Sequence, residues 1–447
     1  MTIELEVLEN STDNEILFHV GPNVVIDRIR LRKEGKRVYP KTLRIEESKM
    51  LARIVLKESL KNGVYLLEID YNTTICNEEN GTQCDYELDP LNNSLVSAFT
   101  TKFEPTHARS FLPCWDDPGI KATFNITVMH LSKYVVLSNM PPNGSKKTPE
   151  GKTTTSFEQT PPMSAYSLAF AMGQLVPLEM RTGRNLPLTL WIHPEDLLSA
   201  QFAANFSPVV FDRLESELEL LYPMPKIDLV AARNFPVDGT KNWGLTIFDK
   251  NSVLLDAKLE DSPNMTVDRL YHEYNIKKII TSQIAHQWFG NLVTIRDWSD
   301  LWLNEGFATY MKYHALQHEH PKLVKNDYLT RLYRLIRKQS TLDHPALVRP
   351  LTTELEVERS YHETYLHTKG SVMVIMIREL VSEFQFHSGM RRHELWESMP
   401  AYADHGADRE QLSTVMERWL INEGIPEPKL PKWHDLGNAA EVRRSSL

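Results

Sequence analysis

Histidines and carboxylates at helical spacing are the residues of this 447-residue sequence whose types and spacing could do metal chemistry. Two histidines four positions apart lie on one face of a helix and can bind zinc together. His314 and His318 have this spacing, but we interpret them as part of an exposed polar face. His272-Glu273 begins an H-E pair, yet isoleucine occupies position 276, which favours a solvated helix surface.

A second stretch is more informative than either of these pairs. Residues 282–291 read SQIAHQWFGN, and residues 301–308 read LWLNEGFA. Together they resemble the zinc-binding core of the aminopeptidase N-like gluzincins, whose pattern is H-E-x-x-H, eighteen residues, then E. The resemblance implies two histidine ligands on one helix, a glutamate general base directly after the first of them, and a glutamate ligand on the next helix.

The metal and base positions of that family are partly changed in this chain. His286 falls on the second histidine and Glu305 on the third ligand, whereas Ser282 stands at the first histidine and Gln283 at the general base. A serine hydroxyl is a poor zinc ligand, and glutamine cannot take up a proton. Loss of a positioned base typically costs about 10²–10⁴-fold in rate. We therefore expect zinc, the cofactor of the family, to be absent or weakly bound here.

The positions that the family uses for its peptide substrate are also changed. Lys241 stands where the family's G-A-M-E-N loop has the glutamate that holds the peptide's ammonium group, and Asn242 follows it. Glu104 occupies the position of a second amine-binding residue, and we expect it to pair with Lys241 and so block the amine subsite. His367 stands where the family has the tyrosine that hydrogen-bonds the oxyanion, a loss that typically costs about 10²–10³-fold.

These changes favour a catalytically inactive aminopeptidase-like protein that binds a peptide or protein ligand through the old cleft or a sheet surface. The alternative is a zinc metalloaminopeptidase that weakly removes N-terminal residues from peptides, using His286, Glu305 and a further ligand. A third alternative is a truncated gene product with no independent function. Family-like residues persist around the altered positions, which favours a folded protein: Trp288, Phe289, Trp302 and Phe307.

The elements that must position these residues change type along the chain. Apolar residues alternate with polar ones near the N-terminus and over 122–129, which predicts strands. Further strands are predicted at 24–32, 51–57, 64–71 and 187–192. From about residue 199 the period becomes helical, and Val210, Leu214, Leu218 and Leu221 predict an amphipathic helix that faces a core. Further helices are predicted at 266–290, 300–318, 366–385 and 408–423.

The predicted fold class is α+β and multidomain. A β-rich, saddle-like N-terminal domain is expected over 1–178, without its first strands, and a thermolysin-like, mainly helical domain of the catalytic type over 179–430. An irregular tail is expected over 431–447. The saddle and the thermolysin-like architecture are implied by the family resemblance.

Charge and hydropathy exclude some classes of partner. Fifty basic residues against 59 acidic ones give a net charge of −9, without basic blocks. Such a chain is a poor candidate for binding nucleic acid or anionic membranes through bulk charge. No apolar run approaches the roughly 18 residues of a membrane span.

Sequons and cysteines favour the secretory route. Composition would give only about two or three N-x-S/T triplets without proline at the middle position, whereas eight occur. We therefore expect a glycoprotein at an extracellular or cell-surface location. This expectation includes the ectodomain of a longer membrane-anchored precursor. The triplets begin at Asn10, Asn72, Asn80, Asn92, Asn125, Asn143, Asn205 and Asn264. Cys76 and Cys84 could close a small local bridge, which leaves Cys114 as a buried small hydrophobe.

Overall fold

The chain forms two compact units. Unit 1 comprises Met1–Leu175 with Asn234–Pro236, and unit 2 comprises Val176–Arg233 with the chain from Val237 onward. The computed structural model describes residues 1–10, 12–77, 81–87, 95–255, 265–338, 346–380 and 386. The helix predicted at 408–423 and the tail predicted at 431–447 lie outside these residues.

Unit 1 is built of β-strands. Where it is described, five sheets have the strand orders β1-β7-β3-β4, β2-β6-β5, β12-β16-β9-β8, β11-β14-β13 and β10-β15. The strands are β1 (Thr2–Val7), β2 (Glu15–His19), β3 (Val24–Lys33), β4 (Lys36–Val38), β5 (Pro40–Glu46), β6 (Leu51–Leu56), β7 (Gly63–Thr73), β8 (Thr82–Glu87), β9 (Leu95–Thr101), β10 (Lys121–Ala122), β11 (Thr127–Leu131), β12 (Val135–Ser138), β13 (Pro142–Lys147), β14 (Lys152–Phe157), β15 (Met163–Ser164) and β16 (Phe170–Gly173).

Period-two alternation explains how the first two sheets of unit 1 pack. Leu67 and Ile69 of β7 and Leu31 of β3 project from one sheet, and Phe18 of β2 and Ile54 of β6 project from the other, into one buried cluster. Alternate residues of a strand point to the same face, so each sheet contributes one apolar face to this core. The strands predicted near the N-terminus and at 24–32, 51–57 and 64–71 are confirmed as β1, β3, β6 and β7.

The single strand predicted over 122–129 is wrong. Two shorter strands occupy this stretch, because β10 ends at Ala122 and β11 begins only at Thr127. Between them, the backbone N–H of Phe124 donates to the side-chain hydroxyl of Thr160 over 2.9 Å, which replaces a backbone partner. Alternating hydrophobicity therefore continues across a break in the strand.

The cysteine prediction is confirmed. Cys76 and Cys84 form a disulfide with their Cα atoms 4.9 Å apart, and Cys114 is a buried free thiol. Burial raises the pKa of Cys114 well above its usual value, so this thiol is not activated as a nucleophile.

Unit 2 combines one sheet with helices. Its strands are β17 (Val176–Arg181), β18 (Pro187–Ile192), β19 (Ile227–Ala232) and β20 (Leu245–Asp249), in that order across the sheet. The β17–β18 pair is antiparallel, and the next two pairs are parallel. Every residue of β19 is buried, as expected for an inner parallel strand covered on both faces. The strand predicted at 187–192 is confirmed as β18.

The helices of unit 2 carry most of the candidate site. They are α1 (Gln201–Leu218), α2 (Lys250–Val253), α3 (Met265–Ala285), α4 (Leu301–Leu316), α5 (Pro321–Lys338), α6 (Glu354–Tyr361) and α7 (Thr364–Leu380). The predicted helices at 266–290, 300–318 and 366–385 correspond to α3, α4 and α7, with residues 381–385 outside the described part. A β-rich unit followed by a mainly helical one confirms the predicted α+β multidomain class.

The predicted apolar stripe of α1 extends one residue too far. Val210, Leu214 and Leu218 are buried, but Leu221 is 68% exposed. The helix ends at Leu218 because Glu219 adopts a left-handed conformation with φ of 50°. Among the described helices, none is both long and apolar enough to cross a membrane.

Candidate metal centre

Three helices and one loop bring the predicted site residues together. Ser282 and Gln283 lie in the last turn of α3, and His286 directly follows the helix. The backbone N–H of His286 donates to the carbonyl of Ser282 over 3.2 Å, so the helical turn continues through the histidine. Glu305 lies on α4 and His367 on α7.

The loop between β19 and β20 supplies Lys241 and Asn242. The side chain of Asn291 donates to the carbonyl of Lys241 over 2.6 Å, and that of Gln287 donates to the carbonyl of Asn242 over 3.2 Å. Asn242 also donates to the hydroxyl of Thr240 over 2.9 Å. The residues just after His286 thus hold the loop. Asn242 braces its own loop, and its predicted contact with substrate stays a prediction.

The Glu305 carboxylate is the centre of the cluster. It is 2% exposed, and its Oε1 accepts a hydrogen bond from Nζ of Lys241. Its Oε2 lies 2.9 Å from Nδ1 of His367 and 3.6 Å from Nε2 of His286. Burial by itself would raise the pKa of Glu305, but the Lys241 ammonium, followed by His367 and His286, holds it well below its usual range. The carboxylate is therefore ionised at neutral pH.

His286 keeps the tautomer of a metal ligand. Its Nδ1 lies 2.9 Å from the carbonyl oxygen of Phe289, and because a carbonyl only accepts, Nδ1 must carry the proton. Burial, followed by the charge of Lys241, lowers the pKa of His286 to about 3, so the ring is neutral. Nε2 therefore presents a lone pair to the interior of the site, the arrangement found where a carbonyl accepts from the other ring nitrogen of a metal-bound histidine.

Lys241 has an aromatic neighbour that sequence reasoning missed. Its ammonium lies 5.1 Å from the ring centroid of Tyr361, the last residue of α6. A cation over an aromatic face is stabilised by the ring quadrupole, more strongly when water is excluded. Lys241 is 7% exposed, so water screens this interaction little. No motif in the sequence marked Tyr361, because its role depends on the placement of α6.

Gln283 carries an amide at the position of the general base. Its Oε1 is buried and has no hydrogen-bond partner within the described ranges. A Cβ built on Gly239 would lie 3.2 Å from Cγ of Gln283, so the loop backbone approaches this side chain closely. A neutral carboxamide in this place can orient a water molecule or a peptide but cannot accept a proton.

A glycine contact sets the separation of α4 and α7. A Cβ built on Gly306 would lie 2.8 Å from the carbonyl carbon of Gly370. Real Cβ atoms do not approach backbone atoms so closely, so the two helices can touch only where both residues lack side chains. Glu305 precedes the first glycine and His367 lies one turn before the second, which brings their side chains within hydrogen-bond distance.

The nitrogen and oxygen donors around Glu305 match the geometry of a zinc site only in part. Nε2 of His286 and Oε2 of Glu305 are 3.6 Å apart, close to the roughly 3.4 Å expected for two ligands about 2.1 Å from a tetrahedral ion. Serine replaces the third ligand at position 282, and Oε1 of Glu305 holds the Lys241 ammonium. The residues at these described positions therefore do not fit the three-ligand zinc ion of the resembled family.

His314 and His272, from the two other motifs that could bind a metal, contact neighbouring parts of the chain. Nε2 of His314 lies 3.1 Å from a carboxylate oxygen of Glu217, and the His314 side chain is only 20% exposed. The expectation of an exposed face is therefore wrong for His314, but it is right for His318. Nε2 of His272 donates to the carbonyl of Leu254 over 3.1 Å, which also corrects the expectation of a purely solvated surface there. Helix packing against neighbouring elements explains both differences.

Glu104 belongs to unit 1 and is 3% exposed, whereas Lys241 belongs to unit 2. Their predicted pairing stays a prediction. What the structure describes for Lys241 is an ion pair with Glu305, the residue at the third-ligand position.

Comparison with known protein families gives two matches along this chain. The Peptidase M1 N-terminal domain matches residues 1–167, and the Peptidase family M1 domain matches residues 202–423. Similar proteins include human glutamyl aminopeptidase, human aminopeptidase Q and aminopeptidase N of Bos taurus. Human glutamyl aminopeptidase is 29% identical over 388 residues, which are 83% of this chain and 39% of that protein. Human aminopeptidase Q is 31% identical over 354 residues, 73% of this chain and 34% of that protein.

Aminopeptidase N of Bos taurus is 28% identical over 401 residues, 83% of this chain and 40% of that protein. The chain thus spans about two fifths or less of the length of these relatives. Both domain models match in the family's order and cover the altered site as well as the β-rich unit before it. The chain belongs to peptidase family M1.

Proposed function

We propose that this chain is a catalytically inactive M1 homologue that binds a peptide or protein ligand without cleaving it. The observation that carries the proposal is Gln283, an amide where the family has its general base. Peptide hydrolysis needs a group that removes a proton from the attacking water, and a carboxamide cannot do so. The buried, unpartnered Oε1 of Gln283, within the described part of the chain, leaves this amide available to a ligand.

The metal-binding residues support the same proposal. Family M1 uses zinc, and catalytic zinc sites normally keep three protein ligands and one open position. Here Ser282 replaces one ligand and the Lys241 ammonium binds another, Glu305. We propose that zinc is absent or weakly bound.

The binding half of the proposal rests on Glu104. This buried carboxylate occupies a position that the family uses to hold the amino group of a peptide. Because the Lys241 ammonium pairs with Glu305, we propose that Glu104 holds the ammonium group of a ligand with a free N-terminus and not that of Lys241, as the sequence alone suggested. A charge-assisted hydrogen bond to an ammonium group is about twice as strong as a neutral one.

We also propose that the protein is an extracellular or cell-surface glycoprotein. The side chains of the five sequon asparagines within the described residues are all exposed: Asn10, Asn72, Asn125, Asn143 and Asn205. Asn80, Asn92 and Asn264 lie outside the described residues. The Cys76–Cys84 disulfide supports the same location, because disulfides persist in oxidising compartments. An ectodomain of a longer membrane-anchored precursor is included in this proposal.

Peptide binding and hydrolysis, measured on the same preparation, test the function. We expect fluorescence anisotropy to show that the protein binds peptides with a free N-terminus and binds their N-acetylated forms less tightly. We expect Glu104→Gln to weaken binding about tenfold or more, because a hydrogen bond to a charged group is lost. Glu158→Gln, at an exposed glutamate of unit 1, is the matched control.

In the same preparation we expect no hydrolysis of aminoacyl chromogenic substrates, with or without added zinc. Cleavage that a chelator abolishes, or equal binding of free and acetylated peptides, would contradict the proposal.

The alternative is a zinc metalloaminopeptidase with weak activity. The tautomer of His286 and its 3.6 Å separation from Glu305 favour it, because two of the family's donors remain in place. His367, whose Nδ1 already contacts Glu305, is an imidazole that could join them. Stoichiometric zinc in the purified protein, with hydrolysis lost in His286→Ala, would establish this alternative.

A further inference from the structure

We propose that Lys241 supplies the positive charge that a metal ion supplies elsewhere in the family, and that Lys241, together with the missing histidine, keeps zinc out of this site. The inference deepens the proposed function, on which it rests for the absence of zinc. It concerns what occupies the site and is independent of which peptide the protein binds.

The contacts of Lys241 place its charge where a cation is needed. Nζ of Lys241 donates to Oε1 of Glu305, and the two side chains are 8% and 2% exposed. Nε2 of His286 and Nδ1 of His367 approach the other oxygen of the same carboxylate. A buried carboxylate without a cation is unfavourable, so a fold that lacks the metal needs another positive group here.

The position of Lys241 is fixed by its loop. Asn291 and Gln287, which follow His286 in sequence, bind the carbonyls of Lys241 and Asn242. The ring of Tyr361 lies on the ammonium 5.1 Å from its centroid. The backbone of Lys241 is therefore held by the same segment that carries the remaining histidine ligand, and its ammonium cannot swing away without loss of its contacts with Glu305 and Tyr361.

An ammonium group and a divalent ion compete for this carboxylate. The ammonium lies on Oε1 of Glu305, and an ion held by His286 would bind Oε2 of the same carboxylate, so the two like charges would lie close together in a site shielded from water and repel strongly. His286, in contrast, presents its Nε2 lone pair towards Glu305 and is ready to bind. Restoration of the missing histidine at position 282 alone would therefore leave the ammonium in the way.

Zinc titration of four forms tests the inference: the natural sequence, Ser282→His, Lys241→Met and the double variant. Each is stripped with a chelator, and its affinity for zinc alone is measured by calorimetry at neutral pH. We expect weak binding by the first three and binding about 100-fold tighter by the double variant than by Ser282→His, because removal of the ammonium relieves like-charge repulsion. Ser282→His alone binding as tightly as the double variant would overturn the inference.

Lys226 provides a matched control in the same unit. Its ammonium lies 2.7 Å from Asp228, and both side chains are 9% exposed. Lys226→Met therefore also breaks a buried lysine–carboxylate pair, and we expect it to lower the Tm without any gain in zinc affinity when combined with Ser282→His. A gain in affinity in this control would also overturn the inference.

Two further readouts keep the test independent of folding defects and of catalysis. Lys241→Arg retains the charge, so Ser282→His with Lys241→Arg should bind zinc as weakly as Ser282→His does. We expect Lys241→Met to lower the Tm by roughly 5–15 °C and zinc to restore it only in the double variant with Ser282→His. Peptide binding is a separate measurement, so its failure would contradict the proposed function and leave these titrations standing.

Discussion

Asp116 in unit 1 and Glu305 in unit 2 are both almost fully buried and both face a basic side chain, yet their pKa values move in opposite directions. Burial raises the pKa of Asp116 to about 7 in spite of Arg109, and the neighbouring Asp117 adds to the rise. The pKa of Glu305 is held well below its usual range because the Lys241 ammonium, with His367 beside it, outweighs its burial. The number and sign of close neighbours decide which way a buried carboxylate shifts.

The two pairs also differ in what they hold. Arg109 donates to Asp116 through its backbone N–H and its Nε, at 3.1 and 2.9 Å, and its Nη2 donates to the carbonyl of Asp116 over 3.3 Å. The planar guanidinium of Arg109, with several fixed hydrogen bonds, ties its own segment to the backbone around Asp116. The Lys241 ammonium is a point charge in a site whose sequence has changed. One pair ties two backbone segments together, and the other lies among the altered site residues.

The largest effect is expected from Arg109→Met. It would leave Asp116 buried without its cation and lower the free energy of unfolding by about 3–5 kcal/mol, measured by urea denaturation. Arg30→Met is the control, because Arg30 contacts Glu68 at the surface, where water screens the pair. Similar losses in the two variants would show that the buried bonds of Arg109 add nothing to stability.

A smaller effect is expected from Glu305→Gln, about 3 kcal/mol, because Tyr361 still stabilises the Lys241 ammonium. The double variant with Lys241→Met should lose less than the sum of the two single variants, with a coupling of about 1–3 kcal/mol. Urea denaturation of the four forms closes the cycle. Additive losses would mean that Lys241 and Glu305 do not stabilise each other.

The smallest expected effect is in the pH dependence of stability. The folded pKa of Glu305 lies below its unfolded value of 4.5, so its contribution is present above pH 4.5 and is lost as the pH falls further. The folded pKa of Asp116, about 7, lies above its unfolded value of 3.8, so its contribution is present below pH 3.8 and is lost as the pH rises to 7.

Tm profiles between pH 3 and 8 should therefore change differently in two variants. Glu305→Gln should flatten the acid limb, and Asp116→Asn should flatten the decline towards pH 7. Parallel profiles in both variants would remove the contrast between the two carboxylates.

Much of the fold followed from periodicity. Buried residues alternate along β7 and recur every three to four positions along α1, and this local pattern suffices to predict both elements. The break after Ala122 was not predictable in this way, because the alternation of apolar and polar residues continues through it. The end of α1 was missed because Glu219, in a left-handed conformation, gave no glycine signal.

The candidate site was predictable in its residues but not in its contacts. Resemblance to the family's zinc-binding pattern identified His286 and Glu305, and register with the same family identified Lys241. The pairing of Lys241 with Glu305 joins residues 64 positions apart and depends on how a loop lies against α4. Tyr361 was missed for the same reason, since only the packing of α6 brings its ring to the ammonium.

The contact of Gly306 with Gly370 bears on how such a protein can change over evolutionary time. Gly306 and Gly370 allow α4 and α7 to approach closely, and the altered residues Ser282, Gln283 and Lys241 lie outside both helices. Ser282, Gln283 and Lys241 can therefore differ from the family's residues while α4 and α7 stay at the same separation. The site residues can therefore change while these two glycines preserve the contact between the helices.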